Sequence, residues 1–295
     1  MAGVLFVFVS SVGFSTKAIL VKLAYRYGVS SVSLLALRFG FSAPFFALLL
    51  HFRRRPAYEQ QLTARDAWAI VALGVLGYYA ASLCDFVGLR YISAGLERLI
   101  LFVYPTLVVL VEALFFRVRL RPLIALALLL TYAGIGLAFH GDLGTFGSNA
   151  PLGALWVFGS ALTYALYLVG AGRLVPRLGS QRFTGLALLS VSGAALIHTA
   201  MVRAPVLGLP LPVYGLGLLM SVVATVLPAF WLTRGIELIG SGRSAIVSTV
   251  GPVSTILLAY FVLHEAVSVF EIVGTVLVLF GATLVTRQKS IPART

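Results

Sequence analysis

Four ionisable side chains stand inside or beside long apolar runs of this chain: Lys17, Asp85, Glu97 and Arg98. A charge held in hydrocarbon costs roughly 2.5–3.5 kcal/mol on insertion scales, so each is a functional candidate. Lys17 is mid-run and has no acid near it in sequence. A buried lysine can pair with a carboxylate, bind a substrate carboxylate or give up its proton, and the sequence leaves all three open. Asp85, Glu97 and Arg98 fall near run ends and read as an outer gate or, preferably, as a solvated ion pair. Arg38 stands near a helix end, from which its guanidinium can snorkel to water. Glu112 lies within reach of the interface and is expected to pair with a loop arginine.

Helical spacing groups the uncharged candidates into faces. Tyr78, Ser82 and Asp85 fall at i, i+4 and i+7. Trp156, Ser160, Thr163 and Tyr167 share a face, with Tyr164 beside it; Ser241, Ser244, Ser248 and Thr255 form another. Ser11 and Ser15 share a stripe with Lys22, and Phe14 adjoins it. Pro105 and Pro252 offer no N–H to the carbonyls four residues back, which frees those of Leu101 and Ser248. Free carbonyls at membrane depth need protein, water or substrate as partners. The expected substrate cavity is therefore lined by Phe14, Ser15, Tyr78, Ser82, Leu101, Tyr104, Ser160, Tyr164, Ser244 and Ser248. Small-residue helix packing competes for the serines, and interfacial belts compete for the aromatics. Tyr78, Tyr104 and Tyr164 are too deep in their runs for a belt.

The elements that must position these residues are membrane helices. The 295 residues are 60% hydrophobic and 11% charged, with mean hydropathy +1.03; soluble domains are about a quarter charged. Ten apolar segments approach the ~20 residues that span a bilayer: 3–23, 31–50, 67–89, 95–116, 123–140, 152–174, 183–201, 213–233, 244–263 and 269–286. The first lacks a basic leader and contains Lys17 and Lys22, unlike a signal peptide. The net charge of +13 sits mainly in short gaps, so it indicates cytoplasmic loops rather than nucleic-acid binding. Fifteen of the 22 Lys and Arg residues fall in alternate gaps: Arg53, Arg54, Arg55, Arg65, Arg117, Arg119, Arg121, Arg173, Arg177, Arg182, Arg234, Arg243, Arg287, Lys289 and Arg294. By the positive-inside rule both termini are cytoplasmic. The single Cys84 rules out an intramolecular disulfide and a cysteine-cluster metal site.

The chain also repeats itself. An offset of 147 residues carries Gly88 to Gly235, Gly95 to Gly242, Pro105 to Pro252 and Gly134 to Gly281. This predicts an all-α, polytopic membrane protein with five-helix halves, residues 1–147 and 148–295. Five spans are an odd number, so the second half is inverted. Inverted repeats with broken helices at the midplane are the usual construction of alternating-access transporters, with Pro105 and Pro252 as hinges.

Several features together resemble one family. They are Lys22, Arg38, the Gly88…Ala94-Gly95…Pro105 and Gly235…Ser241-Gly242…Pro252 segments, His264-Glu265, and Gly274…Gly281. The chain resembles the drug/metabolite transporter superfamily, in its ten-helix branch of EamA-type exporters, and most of all the YddG-like bacterial amino-acid exporters. The helix-end glutamate common in both halves of that family is Val118 in the first half here, and is kept only in the second. The resemblance makes Arg38 architectural. It implies a central cavity, an inner-membrane location and export of small metabolites, aromatic amino acids among them. The expected partners are a small-molecule substrate and membrane lipid, with no nucleic acid, cofactor or metal, in a monomer or homodimer. A broader drug or nucleotide-linked metabolite carrier is the alternative within transport. An intramembrane serine protease using Ser241 with His198 or His264 fails because the serine and the histidines map to opposite sides, beyond hydrogen-bond reach.

Overall fold

The computed structural model describes residues 2–52, 59–116, 122–239, 244 and 247–286, which form helices and no strand. Arg53, Arg54, Arg55, Arg117, Val118, Arg119, Arg121, Ser241, Gly242, Arg243, Arg287, Lys289 and Arg294 lie outside these residues. Among the described residues, seven helices are long and apolar enough to cross a membrane. They are α1 (Ala2–Tyr25), α2 (Ser31–Phe52), α3 (Ala64–Gly88), α4 (Ala94–Phe115), α6 (Ala150–Leu178), α7 (Ser180–Met201) and α8, whose apolar part is Leu211–Leu232 and which continues to Ile239. Shorter apolar stretches form Ala125–Gly141 within α5 (Pro122–Phe146), then α9 (Val250–Leu263) and most of α10 (Val269–Thr286). Phe52, Trp68, Leu76, Leu114, Leu129 and Phe261 point outward and are exposed. Large apolar side chains covering the outside suit hydrocarbon as the solvent, with backbone polar groups satisfied within the helices.

Local sequence explains where the helices start and break. Thr63 and Asp66 form a reciprocal capping box that opens α3. In α4 the first piece, Ala94–Leu101, stops at Phe102, and the helix restarts at Tyr104. The Val103 carbonyl accepts from the N–H groups of both Thr106 and Leu107. Ahead of α9 the turn falls at Thr249. Both prolines thus sit in the first turn of the restarted helix, where a missing N–H is tolerated; neither is a mid-helix kink. π-helical turns interrupt α3 at Leu73–Tyr79 and α8 at Val222–Val226.

Glycines set the closest helix contacts, since without a Cβ two backbones can meet. Gly88 of α3 rests on Gly153 and Val157 of α6, and Gly235 of α8 rests on Gly3 and Val7 of α1. Gly134 of α5 faces the Gly274 carbonyl of α10, while Gly281 faces the Ala127 carbonyl and Thr131 of α5.

Polar contacts close the two ends of the bundle. At one end Glu265 pairs with Lys22 at 2.8 Å and accepts from the Ala94 N–H at 3.0 Å. Arg90 there donates to Ser31 Oγ and lies over the Tyr25 ring. At the other end Arg177 pairs with Asp66 at 2.5 Å and Arg182 with Glu59 at 2.8 Å.

Candidate functional site

Between the two ends lies a central cavity of 190 Å³, room for a small solute rather than a single water. α1 contributes Ser10, Ser11, Phe14 and Lys17, and α3 contributes Tyr78, Ala81, Ser82 and Asp85 on the face that their spacing predicts. The break in α4 brings in Arg98, Leu101, Phe102 and Tyr104. Ser160 and Tyr164 of α6, Leu232 of α8, Arg38 of α2 and Ser248 ahead of α9 complete the wall.

One part of that wall is aromatic. Tyr164 meets Tyr104 edge-on with ring centroids 5.4 Å apart, and Tyr78 at 6.1 Å. Such edge contacts leave ring faces available to an apolar or cationic group.

The other part is charged. Lys17 Nζ donates to Asp85 Oδ2 at 2.5 Å and to Glu97 Oε1 at 3.0 Å. Asp85 is 2% exposed and Glu97 is fully buried, which corrects the expectation of a solvated ion pair. The two carboxylates project from α3 and α4 onto α1, so the acid missing from Lys17's neighbourhood in sequence is supplied twice in space. Glu97 is not among the residues that line the cavity. Asp85 Oδ1, Glu97 Oε2 and Arg98 Nε have no hydrogen-bond partner among the described residues. The Arg98 guanidinium lies against Gly251, where a Cβ would come within 2.9 Å of Nη2.

Arg38 does not snorkel. It is 3% exposed, donates from Nε to Thr225 Oγ1 at 3.0 Å and stacks near Phe39 and Phe86, 4.9 and 5.6 Å from their ring centroids. Thr225 lies in the π-helical turn of α8 and also donates to the Met220 carbonyl. Burial by two phenylalanines and a hydroxyl partner replaces the water that the sequence expectation assumed. Spacing did not single out Arg38, Ser10, Phe102 or Leu232 as wall residues.

Two expected wall residues are elsewhere. Ser15 is buried, donating to the carbonyls of Ser11 and Gly251, and so ties α1 to the start of α9. Ser244 is buried outside the wall. Glu112 is exposed, and the arginines of the loop that follows its helix, Arg117, Arg119 and Arg121, lie outside the described residues. His198 hydrogen-bonds Tyr79 at 2.7 Å, which gives it a partner other than a nucleophile.

Comparison with known proteins decides the family. The model of the EamA-like transporter family matches this chain twice, over residues 1–139 and 151–287. The chain belongs to the EamA-like transporter family. It is 31% identical over 287 residues to the uncharacterised transporter YcbK of Bacillus subtilis (strain 168), covering 96% of this chain and 92% of that protein. It is 25% identical to the uncharacterised transporter YyaM of the same organism, covering 83% and 81%. Identity to the uncharacterised inner membrane transporter YicL of Salmonella typhimurium is 26%, covering 78% and 76%. A solved crystal structure superimposes with a TM-score of 0.64 at 20% identity, over 96% of this chain and 95% of its own, a likeness of fold alone. The cavity is thus that of a membrane transporter.

Proposed function

We propose that this EamA-like transporter exports amino acids, aromatic or otherwise amphipathic, across the bacterial inner membrane by alternating access. In this reading the three shorter apolar helices also span the bilayer, giving ten spans in two inverted halves, residues 1–147 and 148–295, with both termini cytoplasmic. Support for the halves comes from the doubled family match and the equivalent glycine contacts of α3 on α6 and α8 on α1.

One observation carries the substrate class. Asp85 and Arg98, of opposite charge, line the same cavity as Tyr78, Tyr104 and Tyr164, and each keeps one buried polar atom, Oδ1 and Nε, without a hydrogen-bond partner among the described residues. A buried polar atom without a partner costs about 1–3 kcal/mol. An amino acid supplies a carboxylate for Arg98, an ammonium for Asp85 and a side chain for the rings. Lys17, Arg38 and Arg98 outnumber the two carboxylates, which favours as a second reading a carrier of anionic or nucleotide-linked metabolites.

Counterflow in proteoliposomes tests this. Vesicles loaded with unlabelled L-phenylalanine are expected to take up labelled L-phenylalanine transiently, and Arg98→Gln to abolish the effect. Competition by nucleotide sugars but by no amino acid would select the second reading. Counterflow of no amino acid would overturn the proposal.

A further inference from the structure

We infer that a second cavity, at the end of the bundle that the proposed orientation places outside, is a separate binding station that holds the anionic group of the exported solute on Arg26 and Arg90. The inference rests on the transport reading only in that the solute carries an anionic group, as an amino acid and a nucleotide-linked metabolite both do. This cavity has a volume of 480 Å³, against 190 Å³ for the central one, and no described residue lines both. Lys22, Tyr25 and Arg26 reach it from α1, Arg90 from the turn after α3, and Leu263 and Glu265 from the end of α9 and the link beyond it.

The charge of this cavity is unbalanced. Lys22 is paired with Glu265, but Arg26 and Arg90 have no acidic partner among the described residues. The positive-inside rule keeps cations scarce on the outer side, and fifteen of the 22 Lys and Arg residues map to the other one. Three of the remainder nevertheless converge here. Arg90 is held ready: Nε donates to Ser31 Oγ at 3.1 Å, Nη2 to the Val29 carbonyl at 3.2 Å, and the guanidinium lies 4.9 Å from the Tyr25 ring centroid. A guanidinium fixed by neutral partners keeps its charge uncompensated and loses little freedom when an anion arrives. Arg26 makes one hydrogen bond among the described residues, a long 3.4 Å contact from Nη2 to the Leu263 carbonyl.

The two cavities are neighbours along the same helices. Lys17 lines one and Lys22 the other on α1, and Asp85 and Leu89 divide in the same way at the end of α3. At 1.5 Å per residue these are steps of roughly 6–8 Å. The Tyr25 hydroxyl donates to the Phe86 carbonyl at 2.5 Å and ties α1 to α3 in this stretch. An anionic group that leaves Arg98 is therefore taken up by Arg26 and Arg90 little more than a helical turn further out, before it reaches bulk water. Both arginines are exposed, so salt screens their hold, which suits release rather than capture.

The full chain in phosphatidylcholine vesicles provides the test. With Cys84 replaced by serine, Leu263→Cys puts a thiol in the outer cavity, read by its rate of labelling with a neutral, impermeant polyethylene-glycol maleimide. External L-phenylalanine is expected to slow the labelling, less so as salt is added, and L-phenylalaninol, which lacks the carboxylate, is not. Arg98→Gln, which disables the central site, should leave that protection in place. Arg26→Gln and Arg90→Gln should each raise the half-protecting concentration about tenfold, the effect of one lost charge-assisted hydrogen bond. Arg26→Gln guards against misfolding, since Arg90 also anchors Ser31 and Val29. Protection lost in Arg98→Gln but kept in both of these variants would place the effect in the central cavity and overturn the station. Protection by uridine diphosphate glucose alone, through Arg26 and Arg90, would overturn the amino-acid reading and support the station. Protection by neither solute, or labelling slowed by phosphatidylglycerol in the vesicles instead, would overturn the station, while counterflow of L-phenylalanine would keep the amino-acid reading.

Discussion

At the scale of single residues, helical spacing reached the α3 face because Tyr78, Ser82 and Asp85 share a helix. It did not reach Lys17's partners, which are 68 and 80 residues away. Periodicity reports which side a residue faces, never which helix is opposite. Arg38 was misread for a related reason, since its partner Thr225 is 187 residues off. The pairing around Lys17 makes a stability prediction. Lys17→Met leaves two buried carboxylates without their cation and is expected to cost about 3–5 kcal/mol, read as lowered thermal stability in detergent. Adding Asp85→Asn and Glu97→Gln to it should recover most of that loss, because the unpaired charges are gone. A triple variant no more stable than Lys17→Met would show the cost to lie in packing. Tyr78→Ala bears on substrate contact. Ring area lost from the cavity matters in proportion to apolar contact, at ~25 cal/mol per Å². Exchange of L-phenylalanine should therefore fall more than exchange of L-alanine, and an equal fall would assign Tyr78 to packing against Phe39 and Tyr167.

At the scale of elements, both helix breaks were readable from Pro105 and Pro252, but their geometry was not. The helices were expected to break at the prolines themselves, and the prolines instead occupy first turns after breaks at Phe102 and Thr249. Proline is well tolerated there, so Pro252→Ala should change stability by no more than about one hydrogen bond's worth, ~1 kcal/mol. Its new N–H can reach the Ser248 carbonyl and heal the turn at Thr249. If the break is a hinge, that bond must be undone in each cycle, and ~1 kcal/mol on the barrier slows exchange about fivefold. Pro105→Ala should act likewise in α4. Exchange at the wild-type rate in both variants, at matched protein, would make the breaks static.

At the scale of the whole molecule, the recurring glycines were legible because close backbone approach admits no other residue. Gly134 and Gly281 were paired by the repeat before anything indicated that α5 and α10 meet. What the repeat could not give is which helices contact across the halves, or the ends of α5, α6 and α8, which run past their apolar segments. Extra turns at membrane ends carry mixed residues, so hydropathy stops before the helix does. The end contacts nevertheless yield a test of inversion that does not depend on transport. Lys22, Arg26 and Arg90 gather at one end, and Arg177 and Arg182 at the other. Tyr27, Asn149 and Gln181 are exposed positions at these ends that make none of the ion pairs described, so cysteine is tolerable at each. With Cys84 first replaced by serine, Tyr27→Cys and Asn149→Cys are expected to react with an impermeant thiol reagent on intact cells. Gln181→Cys should react only after the membrane is opened. Tyr27 follows the first helix of one half, and Gln181 follows the first helix of the other. Opposite accessibility at corresponding positions is what inversion means physically, and reaction of Gln181→Cys from outside would make the halves parallel and remove the basis for alternating access between them.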